Sequence, residues 1–491
     1  MYGIICSHSE RKRSKSVAKL KIATEFTGSQ YTIKNNIKLF FIGISTSIIC
    51  VLLFFFGLSL EKSLIALAAV ICLAFLFNFH FVYSLFILSI FVPFQWVFHA
   101  SVFFSIIVLI TFAVNYPEVK IQDFSNPLKK SILIYLLSVI PSLYNSIEPL
   151  MSIVMFYNFA GMLVIMFVTM IAIDTNKKMM GVIYLYLAGV FVNSIYVIFL
   201  AASTGKRAWG FSGIFYVDFV GLATIISLIL FIYSSGIKKI IFSLLLMVSI
   251  FGLILTQTRN AWLSTAVSIL LLFFFLIKNS KKYLISFKAL VMIIITVATV
   301  VVIGYFGSST FSTNLGDRLN QKSQTTELDD DPYSAGENSF VTRAFIWHTA
   351  VMAFIEHPII GIGTYSFPFS SQNYYKIPKS FYEIFVRNRD PHITYLAVLT
   401  ETGIVGFIGF MFFIVAIVKL VLNSLKLPVD KTDVIRTVII CFVFAYIIFS
   451  MAMTSSWIWG QQSMIMGIFL GMLIGNNNML TKKSKYANAL G

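Results

Sequence analysis

Charged residues are scarce in this chain. Only 12% of its 491 residues are Asp, Glu, Lys or Arg, and 58% are apolar. Soluble proteins contain about 25% charged residues, so this deficit excludes an ordinary soluble domain. A helix needs about 20 mostly apolar residues to cross the hydrocarbon core, and runs of this kind recur along the chain. Because each backbone polar group in lipid needs an internal partner, the sequence predicts an all-α polytopic membrane protein.

The apolar runs define the predicted spans. They indicate about 12 to 14 transmembrane helices, with the short runs at 62–116 and 130–145 open to a re-entrant interpretation. The runs cover residues 37–58, 62–78, 80–98, 101–116, 130–145, 151–173, 180–202, 215–234, 239–256, 260–278, 287–307, 393–422, 434–453 and 456–475. The predicted domains are a basic tail (1–36), an N-terminal bundle of about 11 spans (37–307), a large loop (308–392), about three C-terminal spans (393–475) and a second tail (476–491).

Cysteine is also rare, and none lies in the large loop. The four cysteines are Cys6, Cys50, Cys72 and Cys441. Their positions in the tail or in predicted spans argue against a disulfide framework, and their spacing gives no metal site. The basic tail lacks the apolar run and small-residue cleavage site of a signal peptide. We therefore expect it to stay in the cytoplasm, where it can contact anionic lipid.

The distribution of the few charges explains the formal net charge of +17. If the N-terminal tail is cytoplasmic and each span changes side, 26 of the 37 Lys and Arg residues face the cytoplasm. This bias follows the positive-inside rule, so the excess is a topology signal and no nucleic-acid partner is expected. Both termini are predicted to be cytoplasmic, and the loop at 308–392 is predicted to lie outside.

The loop at 308–392 is the one long polar segment of the sequence. Residues 342–356 have helical periodicity, Pro358 follows them, and Gly-Ile-Gly at 361–363 predicts a turn. The apolar residues of this predicted helix are Phe345, Trp347, Val351, Met352 and Phe354. A structureless segment of such length is uncommon, so we expect the loop to pack over the outer mouth of the bundle. The acidic run at 329–331 is interpreted as a solvated tip rather than a cation site.

Basic residues are disfavoured on the predicted outer side, so those outside the loop require an explanation. They are Lys62, Lys206, Arg207 and Arg259. Three of them occupy two short turns, at 203–213 and 256–262. Arg259 also begins a predicted helix, whose positive end disfavours it unless an anion shares the site. The alternative for either arginine is an anchor that extends its charge to the membrane surface.

Three titratable residues lie near the same predicted face. His392 precedes the span at 393–422, and it is either a general base or a polar residue that starts a helix. Glu401, deeper in that span, must face a wet cavity or pair with a cation, and Asp218 is a further intramembrane acid. Because the arginines fall on this face as well, the set indicates a site that binds a diphosphate and moves a proton. Glu401 and Asp218 are accessory candidates.

Four motifs resemble the O-antigen ligase and O-antigen polymerase superfamily. The segment RAFIWHTAVMAFIEHPIIGIGTYSF (343–367) looks like its Arg-x3-Trp … His-Pro-x2-Gly-x-Gly pattern. HITYLAVLTETGIVG (392–406) looks like the signature that opens the next span. TQTRNAW (256–262) and KRAWGFSG (206–213) resemble its two arginine-containing turns. The likeness runs in order over roughly 200–415, and the N-terminal half is similar only as hydrophobic spans.

The resemblance implies a glycosyltransferase of the bacterial cytoplasmic membrane that uses a polyprenyl-diphosphate-linked glycan donor on the outer side. It implies that Arg207 and Arg259 bind the donor diphosphate and that His392 activates the acceptor hydroxyl. Arg343 corresponds to a loop-helix arginine that is either structural or phosphate-facing. Inversion at the anomeric carbon is expected, without cofactor or metal, because the arginines neutralise the charge. The family often has Asn after the histidine, whereas Ile393 stands there in this chain.

Several outcomes stay open. A polymerase extends another lipid-linked repeat, whereas a ligase adds the glycan to a different acceptor, such as a lipid core or a protein. We slightly favour a polymerase because the Lys-, Ile- and Phe-rich composition indicates an AT-rich bacterial genome. The partners expected are the donor, a glycan or lipid-linked acceptor, membrane lipids and other polysaccharide-assembly proteins.

Two other classes of function are alternatives. A transporter or flippase of lipid-linked oligosaccharide would use intramembrane polar groups such as Asp218, Glu401, Asn158 and Asn193, but no internal repeat is evident. A structural or sensor protein would leave His392 and the two arginines apart.

Overall fold

The computed structural model describes residues 79–91, 105, 107–113, 115–116, 118–119, 126–204, 208–213, 215–278, 339–427, 434–452 and 460–490. Regular structure in these residues is helical, apart from one isolated backbone bridge between Gly210 and Gly213. The prediction of an all-α polytopic membrane protein is confirmed.

Thirteen α-helices have both ends within the described residues. They are α1 (Phe79–Ser89), α2 (Lys129–Val139), α3 (Pro149–Ala172), α4 (Asn176–Thr204), α5 (Tyr216–Tyr233), α6 (Gly236–Leu255), α7 (Arg259–Lys278), α8 (Ser339–Glu356), α9 (Phe367–Ser370), α10 (Lys379–Phe385), α11 (Thr394–Lys426), α12 (Val434–Ala452) and α13 (Gly460–Leu490). A 3₁₀ helix, Ile140–Asn145, extends α2, and another, Ser371–Asn373, follows α9. Residues 107–113 are also helical.

The helices α3 to α7, α11 and α12 coincide with predicted spans. The helix α13 begins within the span predicted at 456–475 but continues to Leu490, through most of the segment predicted as a tail. Among the described residues, five stretches are long and apolar enough to cross a membrane: Asn176–Thr204, Tyr216–Tyr233, Gly236–Leu255, Thr394–Lys426 and Gln462–Thr481. The predicted span at 130–145 is α2 and its 3₁₀ extension, because Pro141 cannot donate the hydrogen bond of a continuing α-helix. The predictions at 37–58, 62–78 and 287–307 and for the tail at 1–36 lie outside the described residues.

The helix α5 is the centre of the bundle. It is apolar on all sides and buried over most of its length, with α4, α6, α7 and α12 packed around it. In contrast, α6 buries one face and exposes an apolar stripe at helical spacing. That stripe consists of Ile237, Ile240, Leu244, Met247 and Phe251. A surface stripe of this kind suits contact with lipid, so the chain is a multi-pass membrane protein.

The helices α3 and α13 pack closely because glycines remove side chains from their interface. A Cβ atom at Gly467 would lie 2.4 Å from the carbonyl oxygen of Met162, and one at Gly471 would lie 2.4 Å from that of Met166. Gly475 continues this row one turn later. Small residues four apart permit such close approach of helix backbones.

Contacts at the helix ends form two sets. At one end, Asn145 Nδ2 donates to the carbonyl of Gly361 over 2.9 Å, so the α2–α3 connection meets the loop that follows α8. At the other end, Asn477 Nδ2 donates to Ser424 Oγ over 2.6 Å, which joins α13 to the end of α11. Which set faces the outside stays a prediction.

Replacing Gly471 by Ala tests the α3–α13 packing. The new methyl group meets backbone, so we expect a loss of about 1–3 kcal/mol in stability, visible as a lower melting temperature in detergent. Gly161→Ala is the matched control on the same interface. Its nearest heavy atom is the flexible tip of Met464 at 3.5 Å, so it should melt at or slightly above the wild-type temperature. Equal melting of the two variants would contradict the proposed packing.

Candidate functional site

The first arginine-containing turn is described from Ala208 to Gly213. Gly213 donates its backbone N–H to the carbonyl of Gly210 over 2.9 Å, which closes the turn. The turn rests on α4, where Asn193 Oδ1 accepts from the backbone and side chain of Ser212. A Cβ at Gly210 would lie 2.6 Å from Asn193 Oδ1 and 2.8 Å from the Tyr216 ring. Close packing therefore requires glycine here.

The second turn, residues 256–258, leads directly into α7. Gln257 has a positive φ of 50°, and Thr256 Oγ1 accepts from the backbone N–H of Thr258. The carbonyl of Thr258 then accepts from Ala261 over 3.0 Å and starts the helix. Arg259 is thus the first residue of α7, as predicted, at the end where partial positive charge favours an anion.

The two turns lie side by side. The backbone N–H of Ala208 donates to the carbonyl of Leu255 over 3.4 Å, one residue before the second turn begins. Arg207 and the side chain of Arg259 lie outside the described residues. Their convergence on one diphosphate therefore stays a prediction, and the observed contact is the feature that favours it.

The helix α11 is broken at Gly403, where the backbone has φ 63° and ψ −169°. In an unbroken helix, Ile404 and Val405 would donate to the carbonyls of Thr400 and Glu401. They donate instead to Pro358 (2.8 Å) and Ile359 (3.2 Å) of the loop. The carbonyls of Thr400 and Glu401 therefore lack helical donors and accept from two loop amides instead. Ile362 donates to Thr400 over 3.2 Å, and Gly363 donates to Glu401 over 2.9 Å.

Glycines make this exchange sterically feasible. Gly361 and Gly403 both have positive φ, and a Cβ on either would lie 2.3–2.4 Å from backbone atoms of the other segment. The Gly-Ile-Gly segment predicted as a turn at 361–363 is a bend at Ile362, and its two glycines let the loop backbone enter the helix break.

Glu401 is buried beside the same break. Its Oε2 accepts from the backbone N–H of Tyr365 over 2.8 Å, and the backbone of Phe367 also hydrogen-bonds to the carboxylate. In the described part of the chain, this carboxylate is met by backbone amides rather than by a cation, which neither predicted alternative anticipated. Glu401 thus anchors the loop, because buried carboxylates need such partners.

The buried face of α8 differs from the apolar residues that the sequence analysis lists for the helix predicted at 342–356. It consists of Thr342, Ile346, Thr349, Ala350 and Ala353, whereas Val351 is 39% exposed. Small residues on this face let α8 approach α11 closely, and Thr400 Oγ1 donates to the carbonyl of Ala350 over 3.1 Å. A second apolar core forms here with Ile362 and Phe367, so the described loop is a folded unit on the start of α11.

His392 lies in the connection between the loop and α11. Its Nδ1 is 2.9 Å from Asp390 Oδ1, and the side chains are 27% and 12% exposed, respectively. The intervening Pro391 is buried, and its carbonyl accepts from Trp347 Nε1 over 3.0 Å. The imidazole thus has both a fixed partner and access to solvent. Sequence reasoning missed Asp390; its position two residues before His392 was the only available signal.

The accessory candidates have different environments. Partial burial lowers the pKa of the Arg343 guanidinium on α8, and the nearby Asp390 carboxylate acts in the opposite direction. Asp218 is buried on α5, and it accepts a hydrogen bond from Gln462 of α13. Arg343 therefore belongs to the His392 surroundings, whereas Asp218 is paired within the helix bundle. The described residues contain no group of three or more His, Cys, Asp or Glu side chains suited to a metal.

A comparison with protein families finds one match on this chain. Residues 242–411 match the family model described as O-antigen ligase. The resemblance to the O-antigen ligase and polymerase superfamily is confirmed. The matched segment contains Arg259, Arg343 and His392, and ends near the middle of α11; Arg207 and Asp218 lie outside it. A comparison with curated proteins gives no significant match.

Substitution of Gly403 by Ala tests the docking of the loop on α11. Both Gly403→Ala and Gly236→Ala place a side chain at positive φ, which costs about 1–2 kcal/mol. Only Gly403 faces backbone, because nothing lies within 4 Å of a Cβ at Gly236. We expect Gly403→Ala to melt lower than the control and to increase protease cleavage within residues 357–392. Equal protection of that segment in both variants would be inconsistent with loop insertion.

Proposed function

We propose that the protein is a membrane glycosyltransferase that transfers or polymerises glycan from an undecaprenyl-diphosphate-linked donor during cell-surface polysaccharide biosynthesis. The observation that carries the proposal is the oriented, solvent-accessible His392 within a segment matching the O-antigen ligase family. The site is placed on the outer face of the cytoplasmic membrane, with both termini inside. Charge distribution supports this orientation.

The donor diphosphate binds to Arg207 and Arg259 in this proposal. The contact between Ala208 and Leu255 brings the two turns together, and the start of α7 adds a helix N-terminus to the same region. Guanidinium groups form paired hydrogen bonds with phosphate oxygens, and they stabilise the charge that grows on a departing diphosphate. The scheme uses protein cations for this purpose and calls for no metal. Arg343, beside Asp390, supplies a further positive charge.

His392 acts as the general base. The acceptor hydroxyl gives its proton to Nε2, since Nδ1 faces Asp390, and the hydroxyl oxygen bonds to the anomeric carbon. The bond from that carbon to the diphosphate oxygen breaks, and its electron pair leaves with polyprenyl diphosphate. Attack opposite the leaving group inverts the configuration. Glu401 contributes by anchoring the loop.

We favour a polymerase over a ligase within this scheme, on the composition given above. Deletion of the gene distinguishes the two in cells. Loss of polymer with accumulation of single lipid-linked repeats is expected for a polymerase. Accumulation of full-length, unattached lipid-linked chains would instead indicate a ligase, with a lipid or protein acceptor.

His392→Ala should abolish transfer in proteoliposomes supplied with polyprenyl-diphosphate-linked glycan. General bases contribute about 100- to 10,000-fold to rates, so release of polyprenyl diphosphate and formation of product should fall by a similar factor. Donor binding should be retained. His348→Ala is the matched control, because His348 is exposed on the neighbouring α8.

A His392→Ala variant with wild-type rates would remove the general-base assignment. Movement of the donor between leaflets without its consumption, equal in wild type and variant, would favour the transporter alternative.

Arg259→Lys should reduce transfer roughly 100-fold or more, because lysine keeps the charge but cannot make the paired phosphate contact. Arg387→Lys serves as the control. Arg387 is an exposed residue just after α10, and it forms an ion pair with Glu383 of that helix. The measurement is kcat and donor KM in the same assay. Full activity of Arg259→Lys would exclude Arg259 from the diphosphate site.

A further inference from the structure

Asp390 lies next to the histidine to which we assign acceptor activation. Its Oδ1 is 2.9 Å from His392 Nδ1, and its side chain is only 12% exposed. We propose that Asp390 is a positioning residue for the reaction: it holds the Nδ1–H of His392 so that Nε2 carries the free electron pair toward the acceptor. This inference rests on the proposed function, and it adds a residue and a tautomer to it.

The local backbone holds the pair in place. His392 has a positive φ of 55°, a conformation that residues with a Cβ rarely adopt, and it lies two residues after Asp390. The bond from Trp347 Nε1 to the carbonyl of Pro391 attaches the residue between them to α8. Two residues later, Thr394 begins α11 and is buried. Neighbours on both sides therefore maintain a strained connection, as is frequent at functional sites.

The pairing has a defined chemical consequence. A neutral imidazole has one N–H and one acceptor nitrogen, and the hydrogen bond made by one nitrogen determines the state of the other. In this proposal, the 2.9 Å contact is a hydrogen bond from Nδ1–H to the carboxylate, which can only accept, so the proton lies on Nδ1. Nε2 is then the acceptor. When Nε2 takes the proton of the hydroxyl, both nitrogens carry hydrogen, and the adjacent carboxylate stabilises the imidazolium.

The charges around Asp390 come from two helices. Arg343 approaches from α8, and its guanidinium favours the ionised form of the carboxylate. Glu401, from α11, is within electrostatic reach and acts against that form if it is itself charged. The Arg343 side chain is partly exposed, whereas the Glu401 side chain is buried and accepts hydrogen bonds from the backbone of Tyr365 and Phe367. Arg343 thus keeps Asp390 an acceptor while His392 gains its proton.

The test is Asp390→Asn, which keeps the shape but can donate to Nδ1 and so favour the wrong tautomer. We expect kcat to fall about 10- to 1,000-fold with donor KM unchanged; the loss is smaller than for a fully buried pair. ¹⁵N NMR of histidine-labelled protein in liposomes should show the His392 proton moving from Nδ1 to Nε2, with the His392→Ala variant used for assignment. Asp174→Asn is the matched control, because Asp174 is an exposed residue that pairs with Lys178.

The outcomes separate this inference from the proposed function. Unchanged kcat in Asp390→Asn, or a lower kcat with the proton still on Nδ1, would overturn the positioning role while leaving His392 as the base. Wild-type activity in His392→Ala would overturn the base assignment itself. If Asp390→Asn fails to fold, Asp390→Glu provides the test. This variant retains the carboxylate, so its kcat should stay well above that of His392→Ala. A rate no higher than that of His392→Ala, in a folded Asp390→Glu variant, would overturn the inference.

Discussion

Backbone hydrogen bonding at the break in α11 is the constraint on which the site depends. A transmembrane helix that is interrupted leaves amides and carbonyls without partners, and hydrocarbon offers none. Here the segment from Pro358 to Gly363 supplies two carbonyls and two amides to the break at Gly403. Glu401 extends the connection with its carboxylate. The loop is therefore part of the α11 structure, because it supplies the partners of the four backbone groups that the break leaves without helical ones.

The placement of His392 follows from this connection. The loop, α8 and the first turns of α11 form one unit with its own apolar core, and His392 lies where the chain passes from the loop into the helix. Trp347 fixes the connection from α8 through Pro391. A side chain held between two packed helices keeps its orientation better than one on a free loop, which suits the role proposed for His392, the presentation of one particular nitrogen.

Much of the fold is predictable from hydropathy, because a helix in lipid must be long and apolar; the predicted boundaries of α3 to α7 lie within a few residues of those observed. The surroundings of the site are harder to predict from the sequence. Glu401 seemed to need a cavity or a cation because the span was treated as continuous, and the break at Gly403 changes its partners. The contact of Asp390 with His392 occurs beside a positive φ at that histidine, a backbone conformation that residue spacing does not predict. On α8, residue size rather than hydrophobicity selects the packed face, since alanines permit the approach of α11.

The order of these segments along the chain has a consequence for biogenesis. Pro358 to Gly363 leave the ribosome before Gly403 does, so the loop segment that pairs with the break has already been synthesised when α11 reaches the bilayer. Insertion of α11 need not wait for a later element to cover its exposed peptide groups. A nascent chain can thus complete this junction during translation, with membrane integration and loop folding occurring as one coupled event.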